Sequence, residues 1–326
     1  MPNSVPTTKP GATNTPAPLS TERWVADVDT KDVLTRDQLL PDSKPKGFWG
    51  SAWERLRRRP LFWVSAAIIL FVILLAAFSG LFSNVNPRAA SLEDSLSPAR
   101  DGHPFGFTIQ GYDVYARTVY GARASVITGI LTTAVVTIVG VAIGSIAGYF
   151  GGWVDAILSR LTDIFFAIPL LLAGIVLMQM FSVRNTFVVV LVLSTFGWPQ
   201  MARVVRSAVL SVKNNEYVAA SRALGVSRMG ILIKHILPNC LAPIIVMATT
   251  SLGIYIVAEA TLSYLGIGLP PTTVSWGNDI STAQDTLRVA PSNLFFPSVL
   301  LALTVLGFIL LGDTLKDALD PKERKR

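Results

Sequence analysis

The sequence predicts an all-α membrane protein with six transmembrane helices and both termini in the cytoplasm. Three observations carry that expectation. Of the 326 residues, 51% are hydrophobic and only 15% charged, with a mean hydropathy of +0.51. The apolar residues are gathered into long blocks, and Lys and Arg are concentrated in alternate loops. A soluble domain of this length needs more charged surface and scatters its apolar residues.

The spans follow from block length. A bilayer core of roughly 30 Å takes about 20 apolar residues as helix. Blocks 61–82, 124–150, 164–183 and 293–312 meet this with no charge at all. Block 185–202 is shorter and holds Gly197 and Pro199; block 235–258 holds His235, Pro238 and Pro243. Glycine and proline are tolerated in such helices where neighbours satisfy the freed backbone groups. The transmembrane domain is thus expected over 61–320.

Orientation follows from Lys and Arg. Six lie in 44–59, five in 203–228 and five in 316–326, against four in the forty residues of 84–123 and only Arg288 in 267–292. The rich segments belong on the cytoplasmic side, which puts loops 84–123 and 266–292 outside and the loop 207–234 inside. Residues 1–43, rich in Pro, Thr, Ser and Ala, are expected to be a disordered cytoplasmic tail. Residues 44–60 read as a basic interfacial segment with a short surface helix from about Ser51, carrying Trp53. Residues 321–326 form a basic cytoplasmic end. The first apolar block begins near Leu61, too far in and too long for a cleavable secretory signal.

Composition also excludes. The net charge of +7 sits in loops and reads as a topology signal toward anionic lipid, with no nucleic-acid partner expected. Cys240 stands alone, so neither a disulfide nor a thiolate metal site is available. His103 and His235 have no second ligand at metal spacing. Gly225 and Gly230 have the spacing of a phosphate loop, but Ile231-Leu232 follow where Lys-Ser/Thr is required. Gly266-Ile267-Gly268 runs into Pro270 and not into a helix. With no nucleophile elbow and no His-Glu-x-x-His, no catalytic residue and no cofactor held by this chain are expected.

The segment EYVAASRALGVSRMGILIKHILPN at 216–239 carries the functional reading. It spells a short helix, a break at Gly225 and a second helix, with Asn214 or Asn215 capping the first and Ser227 the second. Tyr217, Ser221 and Leu224 share one side of the first helix; Glu216 and Arg222 point elsewhere. From the residues alone, docking into a partner's groove and a plain interfacial helix are both open.

This segment resembles the coupling loop of binding-protein-dependent ABC permeases. Ala219, Ala220 and Ser221 stand at that family's Glu-Ala-Ala positions, Gly225 at its glycine, and Leu237-Pro238 at its ending. Ala219 replaces the Glu, Ser221 the second Ala, and His235 the Ile of the ending. Further stretches resemble the dipeptide/oligopeptide/nickel branch, second permease type: WERLRRRPL (53–61), HPFGFTIQGYDVYARTVYGARAS (103–125), EATLSYLGIGLPPTTVSWGNDI (259–280) and LLGDTLKDALDPKER (310–324). At 106–113 the branch's Gly-Thr-Asp-x-x-Gly-Arg-Asp reads GFTIQGYD. The resemblance covers roughly 50–326.

The resemblance implies a type I importer permease in a bacterial cytoplasmic membrane. It implies a homologous second permease, two ATP-binding subunits or domains that carry the ATP and Mg, and an extracytoplasmic solute-binding protein. Peptides lead as the substrate class, with nickel chelates and other small solutes open. The implied ATPase-coupling residues are Glu216, Tyr217, Ala219, Ala220, Ser221, Arg222, Gly225, Ser227, Leu237 and Pro238. A secondary transporter is the competing class, but no pair of inverted halves is visible.

Two features remain. Gly140, Gly144 and Gly148 leave one face of the second span without side chains, which favours close helix packing within the subunit; a face toward the partner permease or the path is the alternative. Asp163, Glu259 and Asp313 fall at expected span ends, where an interfacial or capping role is the expectation.

Overall fold

The computed structural model describes residues 48–319, and among them all regular structure is helical. The tail at 1–43, the start of the basic segment and the end at 321–326 lie outside the described residues. Five helices are long and apolar enough to cross a membrane, or six if one bent pair forms a single span.

Helix α1 (Phe48–Arg57) turns Ala52 and Leu56 inward and leaves Trp49 and Trp53 exposed. Helix α2 (Pro60–Ala77) opens on a proline at its first position, where no backbone donor is missed, and buries the stripe Ser65, Ile69, Val72 and Ala76. Its other faces, with Leu70, Phe71 and Ile73, are equally apolar and uncovered, as a helix solvated by lipid permits. It stops at Phe78, and the single turn α3 (Ser79–Phe82) follows.

Helix α4 runs from Val114 to Phe150, 37 residues or about 55 Å. The expected second span began at 124, so the helix starts ten residues earlier and projects well past a bilayer core. Arg117 and Arg123 ended the apolar block in the sequence but do not end the helix, because Asp113 caps it: its carboxylate accepts from Ala116 N at 2.5 Å.

The expected third span, 164–183, is instead two helices. Helix α5 (Gly152–Phe166) and helix α6 (Leu170–Met178) meet at a 75° bend. Pro169 has no N–H to continue the first helix, and it drives Ile168 out of helical geometry. Helix α5 also carries charge. Asp155 and Asp163 face helix α7 (Thr186–Val212) and pair with Arg206 at 2.5 Å and Arg203 at 2.7 Å. Both arginines lie inside α7, which therefore extends ten residues beyond the expected end of the fourth span.

After α7 come α8 (Glu216–Ala223) and α9 (Arg228–Ile231). From Arg228 the chain stays helical to Tyr264, but not uniformly. Leu232–Ile236 is a wide turn, in which Leu237 N bonds the Leu232 carbonyl five residues back, and Leu237–Cys240 is a tight one. Pro238 removes one donor, and the helix absorbs the loss by widening and then tightening before α10 (Leu241–Tyr264). The region expected as the loop 266–292 contains a buried helix, α11 (Trp276–Ala283), and α12 (Ser292–Leu319) ends the described chain. Asp317 of α12 pairs with Arg59 at the foot of α2.

Candidate functional site

The two short helices α8 and α9 sit on one end of the bundle. Val218 is fully buried among Val209, Ile231, Leu232 and Ile236, and it alone of α8 is buried. Glu216, Tyr217, Ala219, Ala220 and Arg222 are exposed and Ser221 is half-buried, its hydroxyl donating to the Tyr217 carbonyl at 2.8 Å. Leu224 is 84% exposed, and Val226 and Met229 at the same helix junction are also exposed among the described residues. Leu237 is half-buried and Pro238 exposed at the start of the tight turn.

Gly225 ends α8 at φ +78°. Val226 N bonds the Ser221 carbonyl at 3.2 Å and Gly225 N the Arg222 carbonyl at 3.1 Å, the paired closure that a left-handed residue after a helix allows. A Cβ at Gly225 would meet nothing within 4 Å, so the glycine is required by conformation and not by space. Ser227 then accepts from Gly230 N at 3.2 Å and starts α9. Asn215 occupies the cap position of α8, but its side chain accepts no bond from the helix; its backbone carbonyl takes Val218 N and Ala219 N instead. The expected side-chain cap is corrected to that extent.

Gly140, Gly144 and Gly148 are buried against α7. A Cβ on Gly140 would lie 2.6 Å from the Met201 side chain, and one on Gly148 2.9 Å from the Arg206 carbonyl. Lys213 at the end of α7 donates to the Gly148 carbonyl at 2.8 Å. The stripe therefore clamps α4 to α7, the helix that leads into α8. Of the three boundary acids, Asp163 is paired with Arg203, and Asp313 is exposed on α12. Glu259 departs from the interfacial expectation: it is fully buried and accepts from Ser263 Oγ at 2.8 Å. Ser263 Oγ in turn accepts from Leu269 N at 3.1 Å, so the carboxyl group holds the turn after α10.

Sequence reasoning missed the opposite end of the bundle. Arg117 of α4 and Asp279 of α11 form a buried ion pair at 2.5 Å, and Arg117 also lies over the Tyr112 ring. Burial pushes the Asp279 carboxyl above its ordinary value, with Arg117 pulling the other way. Trp276, fully buried, donates to the Thr118 carbonyl at 2.9 Å. His103 bonds the second oxygen of the capping Asp113 at 2.5 Å. No local spacing announces the Arg117–Asp279 and Trp276–Thr118 contacts, whose partners lie 162 and 158 residues apart.

Five or six helices of membrane-crossing length and apolarity, one of them broken, define the class as a multi-pass membrane protein. Comparison with known proteins makes this specific. Residues 140–325 match the family described as "Binding-protein-dependent transport system inner membrane component", and 47–99 match "N-terminal TM domain of oligopeptide transport permease C". The oligopeptide transport system permease protein OppC of Bacillus subtilis is 39% identical over 282 residues, 86% of this chain and 92% of that protein. The dipeptide permease DppC of the same organism is 38% identical over 279 residues, covering 84% and 86%. The glutathione permease GsiD of Pectobacterium atrosepticum is 34% identical over 296 residues, covering 90% and 97%. The chain belongs to the binding-protein-dependent transport system inner membrane component family, and is a permease subunit of an ABC importer. A chain of the inward-facing MetNI methionine ABC transporter shares its fold, with a TM-score of 0.52 and 20% identity, covering 62% of this chain and 96% of that one.

Proposed function

We propose that this subunit, with a homologous second permease, forms the path for peptides delivered by an extracytoplasmic solute-binding protein, and that α8 transmits the work of two ATP-binding partners. The observation that carries the coupling role is the geometry of α8. It is anchored by Val218 alone, ended by a glycine at positive φ, and presents Tyr217 and Leu224 outward, with Met229 of α9 exposed beside the turn. An apolar helix end held on a rigid stem fits a groove on a partner protein. Glu216, Ala219, Ala220, Ser221 and Arg222 complete the docking face, and Ser227, Leu237 and Pro238 set the second helix that leads into the fifth span.

The stem continues into the membrane. Movement of α8 is delivered through Val218 to Val209 of α7 and to Ile231 and Ile236 of the fifth span, which share one core cluster. Closure of the ATP-binding partners shifts the population between conformations open to either side. ATP and Mg stay on those partners, and hydrolysis is theirs. The Lys/Arg distribution supports both termini and α8 in the cytoplasm, with α11 and residues 84–113 outside. Peptides are favoured because relatives over most of the chain are named for oligopeptides, dipeptides and glutathione, itself a tripeptide.

The test is a crosslink. With Cys240 replaced by Ala and a single cysteine at Leu224, a short reagent with one maleimide and one photoreactive benzophenone end should join the permease to an ATP-binding chain in inside-out vesicles. ATP should change the yield. If no such product forms although the complex co-purifies, α8 is not the docking helix.

A further inference from the structure

At the end of the bundle that carries α11, a recess of about 430 Å³ opens between the segment after α3, the first turns of α4 and the strand-like stretch before α11. Asn86, Arg88, Tyr120, Arg123 and Thr273 contribute its polar lining, and no carboxylate lines it. Arg100 and Arg117, at the same end, are held by Asp94 and Asp279. Arg88 and Arg123 have no ion pair among the described residues. Two solvent-exposed arginines therefore line one recess with no carboxylate beside them.

The surface that leads away from this recess is apolar. Arg123, Ile127, Ile130, Ala134 and Ile138 lie on one face of α4 by helical spacing, and all are exposed, Ile138 to 70%. The stripe runs for about 22 Å toward the middle of the helix, at 1.5 Å per residue. A site with two arginines at its head and an uncovered hydrocarbon track below it matches an amphiphile with an anionic head.

We propose that this recess holds the head group of an anionic phospholipid, whose acyl chain lies along α4. Guanidinium groups grip phosphate oxygens through paired N–H donors, better than any other side chain. The Asn86 side-chain amide lies on the same wall, and Tyr120 already donates its hydroxyl to the Ser83 carbonyl at 3.2 Å, leaving its oxygen free to accept from a glycerol head. The cavity admits a phosphodiester with its glycerol arms and is too small for a folded segment of protein. Because one wall is the stretch that positions α11 and the other is α4, a bound lipid braces the cap against the bundle.

The assembled transporter, purified in detergent, is incubated with equal amounts of dioleoyl phosphatidylglycerol and dioleoyl phosphatidylcholine, and retained lipid is counted by native mass spectrometry. Phosphatidylglycerol should be retained over phosphatidylcholine by on the order of tenfold, as two charge-assisted contacts provide. The double variant Arg88→Gln/Arg123→Gln should lose that preference, and Arg88→Lys/Arg123→Lys should keep most of it. Thr273→Trp, which fills the recess and leaves both arginines, should also lose it, so the outcome does not depend on one variant folding. Equal retention of both lipids by the unaltered complex overturns the proposal. So does a preference that survives in the Gln pair and in Thr273→Trp. Retention by the isolated subunit but not by the complex also overturns it, and assigns the α4 stripe to the partner permease.

Discussion

The two ends of this bundle are built on opposite principles. At the cap, Gly277 of α11 lies so close to α10 that a Cβ would stand 2.6 Å from the Ala260 carbonyl oxygen, and the Arg117–Asp279 pair is buried beneath it. At the end that carries α8, the proposed coupling end, a Cβ on Gly225 would meet nothing within 4 Å, and a single buried valine ties α8 to the stem. One end is fixed by space and buried charge, the other by backbone conformation. On the proposed function, a subunit that holds one end while a partner moves the other needs this division. A cap that yields dissipates the motion, and a coupling helix packed on all sides has no face to offer.

The largest effect is expected from breaking the buried charge. Asp279→Ala leaves the Arg117 guanidinium buried without its partner, which costs about 3–5 kcal/mol. Membrane abundance and resistance to thermal aggregation in detergent should both fall sharply. The pair Arg117→Met/Asp279→Leu should recover most of the loss, since apolar residues of similar volume replace buried ion pairs at little cost. A double variant as unstable as the single one would show that Asp279 acts through something other than Arg117.

Next come the two glycines, given the same substitution. Gly277→Val drives a branched side chain into the Ala260 backbone and the Ser263 side chain, and such overpacking costs about 1–3 kcal/mol or more. It should lower abundance and uptake together. Gly225→Val strains the turn by about 1–2 kcal/mol but collides with nothing, so abundance should stay near normal while uptake and substrate-stimulated ATP hydrolysis are lost. Measuring uptake beside membrane abundance for both variants separates the two ends. Normal uptake by Gly225→Val would reduce α8 to a connector.

The coupling end was legible in the sequence because its signals are local. Ser227 three residues before Gly230, and a glycine between two apolar-faced turns, fix caps and a break within a dozen residues. Five of the six expected spans were legible from apolar blocks, the remaining one being the pair bent at Pro169, and the peptide-permease resemblance rested on stretches such as LLGDTLKDALDPKER. The start of α4 was not legible. Arg117 and Arg123 read as the end of a span, but Asp113 caps the helix ten residues earlier, and Arg117 is neutralised inside it by Asp279, 162 residues away. The ends of α5 and α7 failed for the same reason, since Asp155, Asp163, Arg203 and Arg206 compensate one another only once the helices pair. The bend at Pro169 had its own signal, the restriction proline places on Ile168, but the apolar run across it masked the break. Glu259 looked interfacial because hydropathy gives depth and not the Ser263 partner.

The smallest effect expected is at Ser227, and it tests whether the coupling end is conformationally poised or merely loose. Its hydroxyl satisfies Gly230 N, one of the donors that a helix start leaves without an internal partner. Replacing such a cap with alanine costs about 1 kcal/mol. Nothing packs around Ser227, which is exposed, so the loss falls on the junction between α9 and the wide turn at Leu232–Ile236. Ser227→Ala should leave abundance unchanged and lower uptake modestly at the growth temperature, with a larger deficit on warming as the first turn frays. Ser227→Asp supplies an equivalent acceptor, and its negative charge suits a helix start, so it should transport like the unaltered protein. Equal deficits in Ala and Asp variants would place Ser227 in contact with the ATP-binding partner, where its size or charge matters more than its cap. No deficit in either would mean that α9 is held by Ile231 and Leu232 alone.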